Sequence, residues 1–204
     1  MVSVCFYFQI HQPHRLRNYS VFDISHSHDY FDDKVNEEIC NKVANKCYLP
    51  TNKLMLELIN NHKGKFRISY SITGTALEQF EAHTPKVIES FKALADTGCV
   101  EFLNETYYHS LSFLKSKKEF LHQINMHKRK MNSLFNVKPK VFRNTELVFN
   151  NELATFIEKQ GYKGILAEGA EHILGKRSPN FVYRAKTTST TPENTKIKLL
   201  VKNY

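Results

Sequence analysis

Cysteine is scarce in this chain and never closely paired. Cys5, Cys40, Cys47 and Cys99 form no CxxC spacing, which argues against a structural zinc site. Four unpatterned thiols suit a reducing compartment, so a cytoplasmic protein is expected. The longest apolar stretches are strand-sized, well short of a membrane span. No basic leader precedes the first apolar run, and Met1 leads straight into Val2-Ser3-Val4-Cys5-Phe6-Tyr7-Phe8, which reads as a first strand rather than a signal peptide. Ser71, Ser110 and Ser112 lack a G-x-S-x-G elbow, so the usual serine-hydrolase arrangement is missing. There is no internal repeat and no low-complexity linker.

What is present fits one globular domain. The chain has 204 residues, 41% hydrophobic and 24% charged, enough to bury a sizeable core. The net charge is +9, with basic clusters at Lys115-Ser116-Lys117-Lys118, His127-Lys128-Arg129-Lys130 and Lys138-Pro139-Lys140. Such charge can mark a nucleic-acid surface. Here Phe120, Ile124, Met131, Leu134 and Phe135 fall between the basic residues at helical spacing, so the lysines read as the solvated face of an amphipathic helix. No nucleic-acid motif accompanies them. Neither a nucleic-acid partner nor a membrane is expected, and oligomeric state stays open.

Short β-like runs alternate with helical periodicity. Strands are predicted over residues 2–10, 66–72, 100–103, 140–142, 162–166 and 197–201. One helix follows Pro50 and carries Leu54, Met55, Leu58 and Ile59; another has Thr84 as its N-cap and Pro85 in its first turn, and carries Val87, Ile88, Phe91 and Leu94. The Thr84 side chain is expected to accept an orphan N–H of that helix. The βαβα order argues for a parallel sheet with helical crossovers. Two segments read as irregular: residues 15–36, polar and aromatic-rich, with a binding-loop composition, and residues 175–194, a surface excursion. A closed barrel usually needs about 250 residues, and the sixth strand reaches Val201 near the end. The expectation is an N-terminal portion of something longer.

The predicted strand ends carry the chemistry. After strand one comes His11-Gln12-Pro13-His14; after strand two, Thr73-Gly74-Thr75 with Glu78 in the first turn of a helix; after strand three, Asn104-Glu105-Thr106-Tyr107-Tyr108-His109. After strand four comes Glu146, ahead of a helix opening near Asn150, and after strand five, Glu168, Glu171 and His172. Imidazoles and carboxylates at the C-terminal ends of parallel strands are what α/β barrels use to build active sites. Simpler readings coexist at each place: a polar turn around Pro13, a carboxylate favoured by the helix dipole at Glu78, a packed aromatic corner at Tyr107 and Tyr108. The His26-Ser27-His28-Asp29 spacing resembles metal ligands, but it lies within a long loop without a rigid element to fix geometry.

Several blocks together resemble the α-amylase type of glycoside hydrolase family 57. They are CFYFQIHQPHRL, KCYLPTNKLMLELI, SYSITGTALEQF, GCVEFLNETYYHSL, VFRNTELVFNNELA and GYKGILAEGAEHILG. HQP and FRNTEL, in that order, are the most diagnostic. The resemblance implies an incomplete TIM-type (β/α)7 barrel, apparently truncated here after about six strands, over residues 1–204. It implies a retaining glycosidase on α-1,4-glucans such as starch, glycogen or maltodextrin, with no metal or organic cofactor. Glu146 aligns with the family's nucleophile, His11 with the substrate-binding histidine of HQP, and Glu78 with a carboxylate that contacts sugar. His109 lies in the block GCVEFLNETYYHSL as a substrate-binding candidate. Arg143 is expected to bind in the same site and to help keep Glu146 ionised. Position 9 is Gln where some relatives carry a second histidine, which agrees with the α-amylase rather than the glucanotransferase type.

The resemblance also implies a gap. The family's general acid/base is an aspartate in a fourth, downstream motif that nothing in this chain matches; Asp23, Asp32 and Asp33 sit in the first long loop. The isolated chain is therefore expected to turn over weakly or not at all. Two other readings remain: a non-catalytic glucan-binding or regulatory module, and a metal-dependent carbohydrate deacetylase on a related barrel.

Overall fold

The computed structural model describes residues 3–186 and 195–203. Among the described residues six strands form: β1 Tyr7–Ile10, β2 Ile68–Ile72, β3 Val100–Phe102, β4 Val141–Arg143, β5 Gly164–Ala167 and β6 Lys198–Val201. They pair in chain order, all parallel, as β1-β2-β3 and β4-β5-β6. One bridge, Asn104 to Phe142, joins the two sheets. Asn104 donates its N–H to Val141 O at 2.9 Å and accepts from the Arg143 N–H at 2.8 Å.

The helices are α1 Asp33–Val43, α2 Leu49–Asn61, α3 Gly74–His83, α4 Pro85–Asp96, α5 Lys117–Phe135, α6 Asn151–Lys159 and the one-turn α7 Glu171–Leu174. A π-helical turn, Ala44–Tyr48, links α1 to α2. Every strand but the last is thus followed by helix, as parallel pairing requires.

Alternation along the strands sorts the two sheet faces. Phe8 stacks on Tyr70, which in turn meets Phe91 and Phe102, on the helix-covered face. The other face carries Tyr7, Gln9, Ser71 and Arg143, where the Tyr7 hydroxyl lies 2.6 Å from Ser71 Oγ. Arg143 Nη2 donates to Gln9 Oε1 at 2.7 Å. β1 and β4 are three places apart in the strand order, so the sheet bends to bring these inner side chains together.

Two apolar clusters fill the covered face, one under β1–β3 with α1 to α4, the other under β4–β6 with α6. Helix α5 straddles both: Phe120 and Ile124 belong to the second, Met131 and Phe135 to the first. Its basic residues stay outside, as the spacing predicts, with the exception of His127. That imidazole is fully buried, 2.7 Å from Ile72 O and hydrogen-bonded to Asn104. Burial pushes its pKa down, and this member of the basic cluster latches α5 to the centre of the sheet.

Other local expectations change. Residues 3–5 precede β1 without strand pairing, Phe6 O accepts from the Ser69 N–H at 3.1 Å, and Cys5 is exposed. The first irregular segment ends at Asp32, whose side chain accepts from the Val35 N–H and starts α1. What remains is a loop closed at its base by a Leu16–Phe31 bridge. Thr84 precedes α4, but its side chain makes no cap; its hydroxyl lies 3.4 Å from Cys40 Sγ. Thr73 caps instead, accepting from Ala76 N–H at 3.3 Å. Helix α3 therefore opens at Gly74, which puts Glu78 in its second turn rather than its first. The Thr/Ser run and Pro192 lie outside the described residues. Among the described residues no helix is long and apolar enough to cross a membrane.

Candidate active site

The C-terminal ends of β1, β2, β3 and β4 meet at one place. His11 follows β1, and its Nδ1 lies 3.0 Å from the hydroxyl of Thr73, which follows β2. The rings of His11 and His109 stack at 4.2 Å with 19° between planes. His109 Nε2 lies 2.9 Å from Glu146 Oε1. On the far side of the same ring, Nδ1 is 3.7 Å from Glu105 Oε2, and that oxygen is 3.6 Å from Arg143 Nη1. Histidines and carboxylates far apart in sequence thus form one connected chain of contacts.

The loops after β3 and β4 are built for this. They are tied by the Thr106 and Thr145 hydroxyls, 3.0 Å apart. After Arg143 the backbone makes a single 3-10 turn, with Leu147 N–H donating to Asn144 O at 3.0 Å. Glu146 therefore sits beyond the strand end on a tight turn, three residues past Arg143. Its φ is +53° and that of Leu147 +56°; His109 has φ +55°. Left-handed backbone disfavours residues with a Cβ, and such conformations concentrate where function over-determines geometry. Both partners of the His109–Glu146 contact carry this strain.

Electrostatics separate the two imidazoles. Burial, then the neighbouring His109, push the His11 pKa down. Glu105 and Glu146 hold the His109 pKa up against the cost of burial, Glu105 contributing most. Of the stacked pair, His11 is thus the harder ring to protonate and His109 the easier, the direction expected when two bases share a site. The hydrogen bond from His109 holds the Glu146 carboxyl below the ordinary carboxylate range, with Arg143 a smaller, through-space influence. Arg143 is 2% exposed. It stands behind the site, engaged with Glu105 and Gln9, while Glu146 is 69% exposed.

A cleft of about 520 Å³ opens beside the pair, lined by His11, His14, Phe31, Glu78, Tyr108 and His109 among others. Glu78 accepts from the Tyr107 hydroxyl at 2.8 Å and lies 3.6 Å from His14 Nε2. Burial and Glu78 keep the Tyr107 hydroxyl protonated by raising its pKa. The aromatic pair after β3 divides its roles: Tyr107 is buried, while Tyr108 is half exposed at the cleft. Phe31 tilts over His14 at 4.8 Å, so the first loop supplies a wall.

Gly74 makes this packing possible. A Cβ there would stand 2.4 Å from ring carbons of Tyr107. Gly74→Ala must push that ring aside and break its hold on Glu78. We expect a loss of about 1–3 kcal/mol in chemical denaturation, the usual cost of overpacking, together with weaker ligand binding in the cleft.

His109 thus touches both His11 and Glu146, Glu78 faces the cleft that His11 and His109 line, and Arg143 reaches the cluster through Glu105. Glu171 and His172, expected at the same rim, are exposed on α7 and make no contact with the cluster among the described residues. Glu105 was visible in the sequence only as part of a mixed run; its complete burial is the signal that singles it out, and sequence does not show burial. Among the described residues no three His, Cys, Asp or Glu side chains stand together as a metal site. In the first loop, His28 Nδ1 lies instead 3.1 Å from the Tyr30 hydroxyl.

Known proteins resemble this chain in sequence and in fold. The chain is 45% identical over 207 residues to a "Putative alpha-amylase" of Methanocaldococcus jannaschii, an alignment covering 98% of this chain and 41% of that protein. The crystal structure of 4-alpha-glucanotransferase from Thermococcus litoralis superposes with a TM-score of 0.72 at 19% identity, over 98% of this chain and 27% of that one. The alpha-amylase AmyC from Thermotoga maritima gives 0.63 at 13% identity, over 100% and 46%. The chain thus spans less than half the length of each of these relatives. The profile of glycosyl hydrolase family 57 matches residues 5–204, so the chain belongs to that family.

Proposed function

We propose that this chain carries the nucleophile half of a retaining glycosidase acting on α-1,4-glucans, with Glu146 as nucleophile. One observation carries the reading: an exposed carboxylate, hydrogen-bonded to His109, stands on a strained turn beside a cleft lined with imidazole, carboxylate and aromatic groups. We further infer that the six parallel strands are the first six of an incomplete (β/α)7 barrel. Their sequential order and the contact between β1 and β4 side chains support this.

The chemistry follows from the groups present. Glu146, ionised at neutral pH, attacks the anomeric carbon; the bond from that carbon to the departing sugar oxygen breaks, leaving a glycosyl ester on Glu146. Water then displaces the ester and returns the carboxylate. Neutral His11 and the Glu78–Tyr107 pair offer hydrogen bonds to sugar hydroxyls, and Phe31 and Tyr108 offer flat faces for stacking. The proton for the departing oxygen requires a second carboxyl roughly 5–5.5 Å from the nucleophile. We assign it to an aspartate outside these 204 residues, so the chain alone should turn over weakly. The reading needs no metal or organic cofactor. The exposed free thiols of Cys5 and Cys47 suit a reducing, cytoplasmic setting.

A mechanism-based α-glucosyl fluoride tests the nucleophile without the missing acid, because fluoride leaves without protonation. We expect one covalent glucosyl adduct per chain, mapped by peptide mass to Glu146. An adduct elsewhere, or none while maltooligosaccharide still binds, would discard the nucleophile and leave a glucan-binding module.

A further inference from the structure

We propose that Glu105 is the positioning residue of this site: buried beneath His109, it fixes that ring and its positive charge against Glu146. Glu105 is 0% exposed, and neither of its carboxylate oxygens has a hydrogen-bond partner. His109 Nδ1 is likewise buried and unpartnered, and the two face each other at 3.7 Å. The imidazole therefore lies between two carboxylates, Nδ1 toward Glu105 and Nε2 toward Glu146. A neutral ring has one N–H and can serve only one of them; the cation serves both.

Charge bookkeeping explains why Glu105 decides the matter. The groups facing His109 are His11 from the end of β1, Glu105 after β3, and Arg143 and Glu146 from β4 and its turn. Arg143 opposes a proton on His109. Glu146 favours one but is mostly in water, where its field is screened. Glu105 is the dry, close, negative partner. With Arg143 and His109 positive and Glu105 and Glu146 negative, the four groups sum to zero, Glu105 and Arg143 being the buried pair and Glu146 the member that faces water. Arg143 alone could neutralise Glu105, and the arrangement would then be merely structural. What it adds is a fixed N–H at Glu146. The geometry stands apart from the glycosidase reading, and only its consequence for the nucleophile rests on that reading.

The test follows the His109 ring by 15N NMR in the full chain, with His109→Gln identifying the resonance. In the parent the ring should titrate above the ordinary value of about 6.5. In Glu105→Gln its proton affinity should fall about tenfold or more, a downward shift of about one pH unit, and Glu105→Asp should restore part of it. An unmoved midpoint in a Glu105→Gln protein with a native-like spectrum overturns the proposal. Should that variant not fold, a parent midpoint at or below 6.5 overturns it alone. Failure of the glucosyl fluoride to label Glu146 removes the nucleophile reading and leaves this titration unaffected.

Discussion

Glu146→Gln is expected to abolish labelling by the glucosyl fluoride, slowing adduct formation on the order of 10⁴-fold or more, the scale seen when a covalent nucleophile is removed. Stability should not follow activity. The side chain is largely exposed and its ion pair with His109 is at the surface, where such pairs are worth about 0–1 kcal/mol. Glu146→Gly removes the left-handed strain at φ +53° and should leave stability unchanged or raised by up to about 1 kcal/mol. A nucleophile variant as stable as its parent but chemically dead separates function from folding. Wild-type-like labelling of Glu146→Gln at another residue would move the chemistry elsewhere.

The same contact sets a pH window. The Glu146 pKa is lowered from 4.5 in the folded chain, so its share of stability is present above 4.5 and fades as pH falls through the depressed value. The His109 pKa is raised from 6.5, so its share is complete below 6.5 and fades as pH rises through the elevated value. The charged pair is intact between those limits, and labelling of Glu146 should be fastest there.

Arg143→Ala should be the most destabilising single change near the site, by about 3–5 kcal/mol in urea or thermal unfolding. It leaves Glu105 buried with its fixed cation gone, and breaking a buried pair by removing one partner costs on that scale. It also deletes the contact from β4 to Gln9 on β1. The variant should lose stability before it loses the ionisation of Glu146, which depends chiefly on His109. A fully stable Arg143→Ala protein with a raised Glu146 pKa would reverse that assignment and make Arg143 the direct partner of the nucleophile.

The sequence by itself determined the βαβα order, all six strands to within a few residues, and helices α4 and α6. Those signals are local: apolar periodicity, and punctuation such as Pro85 at the start of α4 and Gly161 beyond α6. Motif blocks also marked His11, Glu78, His109, Arg143 and Glu146 before any contact was known. Local signals failed where a side chain answers to distant neighbours. Thr84 looks like a cap but turns to Cys40, and His127 looks like part of a charged face but is buried against Asn104 and Ile72. Only the tertiary structure decided that Arg143 stands behind the site and that Glu105, half-hidden in a mixed run, lies under His109. The physical reason is that burial and charge pairing depend on what other strands place within a few ångströms. Glu105, His109, Arg143 and Glu146 become one electrostatic unit only when the ends of β3 and β4 are brought side by side by the Asn104–Phe142 bridge.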